Sequence, residues 1–280
     1  MTVETSSAGD ATSPRPASVR AAVLHAREEG RCALIPYLTM GFPDLDTSLE
    51  LVHAIEAMGV DAVEIGVPFS DPVADGPTIQ RTTDHALAQG VTLRSCLQGL
   101  AQVPAEKNVA RILFSYLNPL LAFGFDALPT ALAAGGVGSV LVTDMIPEEA
   151  GEWNRVARER GVETCYLVAP TSTDARLRLV AETSTGFVYC VSTLGVTGVR
   201  STIDDAARVT VQRVRAVTDA PVAVGFGIKG PEDVRAVREY ADGAVIGSAL
   251  MNAIDGASGR DDVIARAQDF LGPVLDACRA

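Results

Sequence analysis

The stretch "MGVDAVEIGV", Met58 to Val67, joins the end of one periodic segment to the start of another. Ahead of it Leu49, Val52, Ile55 and Met58 recur at three-residue spacing, the pattern of a helix buried on one face. Asp46 or Thr47 is placed to cap the start of that helix, and Gly59 to end it in the left-handed conformation. After the glycine comes a short apolar, β-branched run that reads as a buried strand. The same joint recurs at "GGVGSVLV" (135–142), "RGVETCYL" (160–167) and "ADGAVIGS" (241–248).

Working outward, apolar runs appear at "CALIPYLT", "AVEIGV", "ARILFSY", "SVLVTD", "TCYLVA", "FVYCVS", "PVAVGF" and "GAVIGS". Eight strands starting near residues 32, 62, 110, 139, 164, 187, 221 and 243 alternate with helices, at a mean repeat of roughly thirty residues. Continuous apolar strands separated by helices imply a parallel sheet covered on its outer face. Eight such units close into an α/β (β/α)8 TIM barrel, with a doubly wound open sheet as the alternative. "TIQRTTDHALAQ" and "TLRSCLQGLA" predict two helices after the second strand, where the other strands have one. The barrel is expected over residues 19–280. Residues 1–18, rich in Ser, Thr, Ala and Pro, are expected to be a disordered tail without the apolar segment of a signal peptide.

The composition narrows the function. With 48% hydrophobic and 21% charged residues the chain has the balance of a soluble globular protein. Its net charge of −12 disfavours nucleic acid and anionic membranes. Cys32, Cys96, Cys165, Cys190 and Cys278 never form a CxxC pair, which predicts reduced thiols in a cytoplasmic protein. His25, His53 and His85 are too dispersed to suggest a metal site, and His53 fits a structural place in a helix. The uncharged stretch "ILFSYLNPLLAFGF" is too short for a membrane span of about 20 residues.

In a barrel of this kind the site lies at the carboxyl ends of the strands. Glycines in "VGFGIKGPED" and "VIGSALMNAI" follow the last two strands, and Gly247-Ser248 opens a helix there, an arrangement suited to phosphate. "STLGVTGVRSTID", after the sixth strand, is long enough to be a lid. At the second strand, Glu64 is followed by Asp71 and Asp75 in "VEIGVPFSDPVADGPTIQ". Glu64 reads either as a strand-end ion pair or as an acid/base whose pKa is raised by its apolar surroundings. Asp75 reads either as the cap of the helix starting near Thr78 or as a better solvated, ionised partner to Glu64. Asp71, at the proline corner, organises the loop. From the residues alone, the expectation is a barrel enzyme acting on a small phosphorylated molecule by carboxylate acid/base chemistry.

The motifs "IPYLTMGFPD", "VEIGVPFSDPVADGPTIQ", "LVTDMIPEEA", "YCVSTLGVTG", "VGFGI" and "IGSAL" occur in an order that resembles the α subunits of tryptophan synthase, over about Gly30 to Ala253. The resemblance implies a lyase that cleaves indole-3-glycerol phosphate to indole and glyceraldehyde 3-phosphate without metal or cofactor, in L-tryptophan biosynthesis. Pyridoxal phosphate (PLP) would belong to a partner β subunit in an α2β2 assembly. Carried over residue by residue, Glu64 is the acid/base and Asp75 holds the indole N–H. Tyr37, Tyr189 and Phe226 wall the indole pocket. Gly198, Gly227, Gly247 and Ser248 hold phosphate, and Thr197 helps to align Asp75. The alternatives are a stand-alone indole-releasing lyase, a non-catalytic activator subunit that binds a phosphorylated ligand, and a Schiff-base aldolase using Lys107 or Lys229.

Overall fold

The computed structural model describes residues 16–191, 200–225 and 227–279. Its centre is a closed barrel of eight parallel strands in sequence order. The strands are β1 (Ala33–Thr39), β2 (Ala62–Gly66), β3 (Ala110–Ser115), β4 (Val137–Val142), β5 (Glu163–Val168), β6 (Val188–Val191), β7 (Val222–Gly225) and β8 (Gly243–Ile246). β8 pairs with β1, so the sheet has no edge and the open doubly wound alternative is excluded. Nearly every strand residue is buried, as a barrel wrapped by helices requires.

The helices are α1 (Val19–Glu28), α2 (Leu45–Ala57), α3 (Pro77–Ala88), α4 (Leu93–Leu100), α5 (Leu117–Phe123), α6 (Leu128–Ala134), α7 (Gly151–Arg160), α8 (Asp174–Thr183), α9 (Arg200–Arg215), α10 (Pro231–Val237), α11 (Ser248–Ile254) and α12 (Arg260–Arg279). The doubled helix after β2 is present as α3 and α4. The expectation of one helix after every other strand is corrected: β3 is followed by α5 and α6, and β8 by α11 and α12. "ILFSYLNPLLAFGF" divides between β3 and α5; Gly124, at φ +93, ends α5, and α6 leaves at 99° to it. Among the described residues no single helix is long and apolar enough to cross a membrane.

Local signals account for most boundaries. Gly59, Gly136 and Gly161 hold φ of +78, +68 and +69 at the joints that introduce β2, β4 and β5. Gly243 instead opens β8 itself. The cap of α2 is Asp44, whose Oδ1 accepts the Thr47 amide at 2.8 Å, two residues earlier than Asp46. Of the expected tail, residues 1–15 lie outside the described residues. Ser18 belongs to the fold: its Oγ accepts the Ala21 amide at 3.0 Å and donates to Glu163, which also takes the Val19 amide at 2.7 Å.

At the amino-terminal end of the barrel, Arg111 on β3 is fully buried against Glu56 of α2. Its guanidinium donates to both Glu56 oxygens, at 2.6 and 2.9 Å, and to the carbonyls of Val103, Pro104 and Gly135. All five N–H groups are used, which offsets the cost of burying the charge. All five cysteines are buried and free.

Candidate active site

Glu64 is the third residue of the five-residue strand β2, and its Cα is in register with Tyr37 on β1 and Ile112 on β3. It is 1% exposed. Its Oε1 has no hydrogen-bond partner, and no cation among the described residues pairs with it, so the ion-pair reading fails. Burial alone pushes its pKa from 4.5 up to about 8, because the apolar surroundings disfavour the charged form. Near neutrality Glu64 is mainly a neutral acid.

Asp75 lies on the loop between β2 and α3. Gly76 is the N-cap of α3, with Pro77 in its first turn and no side-chain cap, so the capping reading of Asp75 also fails. Instead Asp75 Oδ2 accepts a hydrogen bond of 3.0 Å from the Tyr116 hydroxyl. The Tyr116 oxygen in turn accepts the Ala74 amide at 3.0 Å, and its ring packs on Phe69 at 5.1 Å. Asp75 is less solvated than the sequence suggested: burial raises its pKa from 3.8 to about 6, against the opposing pull of Tyr116. The expected order survives, with Asp75 ionising well before Glu64. Asp71 stays exposed, taking the Ser70 hydroxyl at 2.7 Å within the loop.

Both carboxylates open into one cavity of about 490 Å3 at the carboxyl ends of the strands. Tyr37, Tyr189, Gly227, Gly247 and Ser248 line the same cavity, so seven of the ten anticipated residues converge there. The other three, Thr197, Gly198 and Phe226, lie outside the described residues, as does most of the anticipated lid. Phe114 adds an apolar wall and meets the Tyr37 ring edge-on at 5.1 Å. Two strand glycines make room for the tyrosines: a Cβ on Gly66 would overlap the Tyr37 hydroxyl, and one on Gly225 the Tyr189 hydroxyl. Gly227 holds φ +93, and Gly247 opens α11 beside Ser248. The cavity therefore has an aromatic, carboxylate-bearing interior and a glycine-rich rim, suited to a flat apolar group carrying a phosphate. Among the described residues no His, Cys, Asp and Glu cluster could hold a metal.

Tyr116 was missed in the sequence because it ends an apolar run and reads as strand. Its signal was position: a polar residue at the carboxyl end of a barrel strand.

A family model described as tryptophan synthase alpha chain matches residues 23–278. The tryptophan synthase alpha chain of Mycobacterium avium is 44% identical over 228 residues, 81% of this chain and 84% of that one. A crystal structure of tryptophan synthase from M. tuberculosis in an open form superposes with a TM-score of 0.83 at 36% identity, covering 94% of this chain and 99% of that chain. Tryptophan synthase subunit alpha from Legionella pneumophila superposes at 0.84 with 30% identity, covering 93% and 97%.

Proposed function

This chain belongs to the tryptophan synthase alpha chain family, an alpha subunit of tryptophan biosynthesis, and from that premise we propose that it cleaves indole-3-glycerol phosphate to indole and glyceraldehyde 3-phosphate. The observation that carries the proposal is the pairing, in one cavity, of a neutral Glu64 with an ionised Asp75.

The chemistry follows from that pairing. Glu64, protonated at neutral pH, gives its proton to indole C3, and positive charge spreads to the ring nitrogen. Asp75 stabilises that charge through the indole N–H, where it develops. The Glu64 carboxylate then takes the proton of the hydroxyl on the adjacent glycerol carbon. The bond between that carbon and C3 breaks, its electrons restore the aromatic ring, and the carbon becomes the aldehyde. Glu64 gives one proton and recovers one, so the cycle closes without a redox partner or a cofactor of this chain's own. Tyr37, Tyr189 and Phe226 wall the ring, while Gly198, Gly227, Gly247 and Ser248 take the phosphate and Thr197 helps to align Asp75.

The family supports a β subunit as partner; PLP would reside there, in an α2β2 assembly in the cytoplasm. A Schiff-base aldolase has less support, since Lys229 is exposed at the cavity and Lys107 lies on the opposite end of the barrel. The test is to follow indole release from indole-3-glycerol phosphate by the purified chain and by Glu64→Gln. Turnover by the wild type and its loss in the variant are expected; equal rates would overturn the assignment.

A further inference from the structure

Tyr37 is more than a wall, because the direction of its hydrogen bond is fixed by a buried chain of hydroxyls. Its oxygen lies 3.3 Å from Thr39 Oγ1, and Thr39 Oγ1 lies 2.8 Å from Thr82 Oγ1. Thr82 Oγ1 is 2.9 Å from the carbonyl of Ile79 in the first turn of α3. All three side chains are buried, at 6%, 1% and 0% exposure.

Each hydroxyl has one proton to give. A carbonyl only accepts, so Thr82 donates to Ile79. Thr82 then has no proton left for Thr39, so Thr39 donates to Thr82. By the same count Tyr37 donates to Thr39. Burial holds the Tyr37 phenol well above its ordinary pKa, so the proton stays on it. The Tyr37 proton is thus committed away from the cavity that Tyr37 lines, and the phenol oxygen can offer that cavity only a lone pair.

From this count we infer that Tyr37 is a hydrogen-bond acceptor for a donor on the bound substrate, held in that role by Thr39 and Thr82. The inference rests on the proposed substrate, whose donors are the indole N–H and the glycerol hydroxyls. Asp75 takes the N–H, and Tyr37 is in register with Glu64, which handles the hydroxyl beside the breaking bond. The donor assigned to Tyr37 is therefore a glycerol hydroxyl. Tyr37 would distinguish a hydroxylated side chain from a deoxygenated one, and Thr82, which touches no substrate, would be a positioning residue.

Dissociation constants are measured by calorimetry in a Glu64→Gln background, which holds the substrate without turning it over. The probes are indole-3-glycerol phosphate and its deoxygenated analogue, indole-3-propanol phosphate. Adding Tyr37→Phe is expected to weaken the first roughly tenfold, the loss of one buried hydrogen bond, and to leave the second unchanged. Thr82→Val frees Thr39 to donate back to Tyr37 and turns the phenol proton toward the cavity. It should give a similar loss alone and almost none on top of Tyr37→Phe, while Thr82→Ser should bind as the parent does. Equal weakening of both probes, or no weakening of the first, would make Tyr37 a wall and overturn the inference. So would additive losses from Thr82→Val and Tyr37→Phe. Turnover by the otherwise unaltered chain is assayed separately, so failure of the lyase reading shows there and failure of this one in the binding comparison.

Discussion

The Tyr116 hydroxyl gives its proton to Asp75 across 3.0 Å and accepts the Ala74 amide at the same distance, fastening the acidic loop to the end of β3. A hydrogen bond to the charged carboxylate favours ionisation, so Tyr116 works against the burial that raises Asp75. Turnover needs Asp75 ionised and Glu64 protonated, which gives a bell-shaped profile with limbs near about pH 6 and about pH 8, where burial places the two carboxyls. Tyr116→Phe removes the bond that lowers the Asp75 pKa, so its acidic limb is expected to move up while the alkaline limb stays. The optimum rate should fall by roughly threefold to tenfold. The profile of kcat/KM against pH checks this; an unmoved acidic limb would mean that Tyr116 only shapes the loop.

Glu64→Gln should separate activity from stability. Removing an acid/base group of this kind costs at least roughly 10²–10⁴-fold in rate. The effect on stability has the opposite sign. The folded pKa of Glu64 lies above its ordinary value, so the folded state binds the proton more tightly than the unfolded chain. Its contribution to stability is fully present below about 4.5 and is lost as pH rises toward about 8. The shift corresponds to a destabilisation on the order of 5 kcal/mol above that range. Gln carries no charge at any pH. The variant is expected to match the wild type near pH 4.5 and to exceed it increasingly up to pH 8.5, as read by urea unfolding at several pH values.

The buried Glu56–Arg111 pair supports the opposite end of the barrel from the cavity. Glu56→Ala leaves the guanidinium without its countercharge in a fully buried place and should cost roughly 3–5 kcal/mol. Replacing both partners, Glu56→Leu with Arg111→Met, should cost less than Glu56→Ala alone, because no unpaired charge remains. Specific activity per folded molecule should be unchanged in both. Urea midpoints together with active-site titration test the two parts separately.

The barrel was legible because its signals repeat: a left-handed glycine and a β-branched run at Gly59, Gly136 and Gly161 each marked a helix-to-strand joint. Glu64 stood out as a carboxylate inside an apolar run, but its position left an ion pair and an acid/base equally open, and the choice between them came from the family resemblance. The second helices after β3 and β8 were harder to read, since α5, α6 and α11 are seven residues each and too short to show periodicity. The Tyr116–Asp75 bond joins residues 41 apart, and the Arg111–Glu56 pair residues 55 apart. Neither partner carries a local mark of the other, because only the parallel pairing of β2 with β3 brings their units together. The chain of hydroxyls from Tyr37 to Thr82 is invisible for a like reason.

Partnership is the last expectation. Val73, Leu121 and Ile146 are 83%, 53% and 40% exposed, large apolar side chains left in water. They follow β2, β3 and β4, three consecutive strands of the barrel, on segments that leave the carboxyl ends where the cavity opens. Val73 sits two residues before Asp75 on the same loop. A β subunit that covered this face would contact the loop that carries Asp75 and favour the arrangement in which Asp75 faces the substrate. Tenfold activation needs only about 1.4 kcal/mol of preference for that arrangement. Indole or aldehyde production is therefore expected to rise when the chain is titrated with a β subunit. Leu121→Asp, which is outside the cavity, should weaken that activation while leaving the rate of the isolated chain within twofold. Light scattering reports whether a complex forms. An unchanged rate with no complex would leave a lyase that works alone.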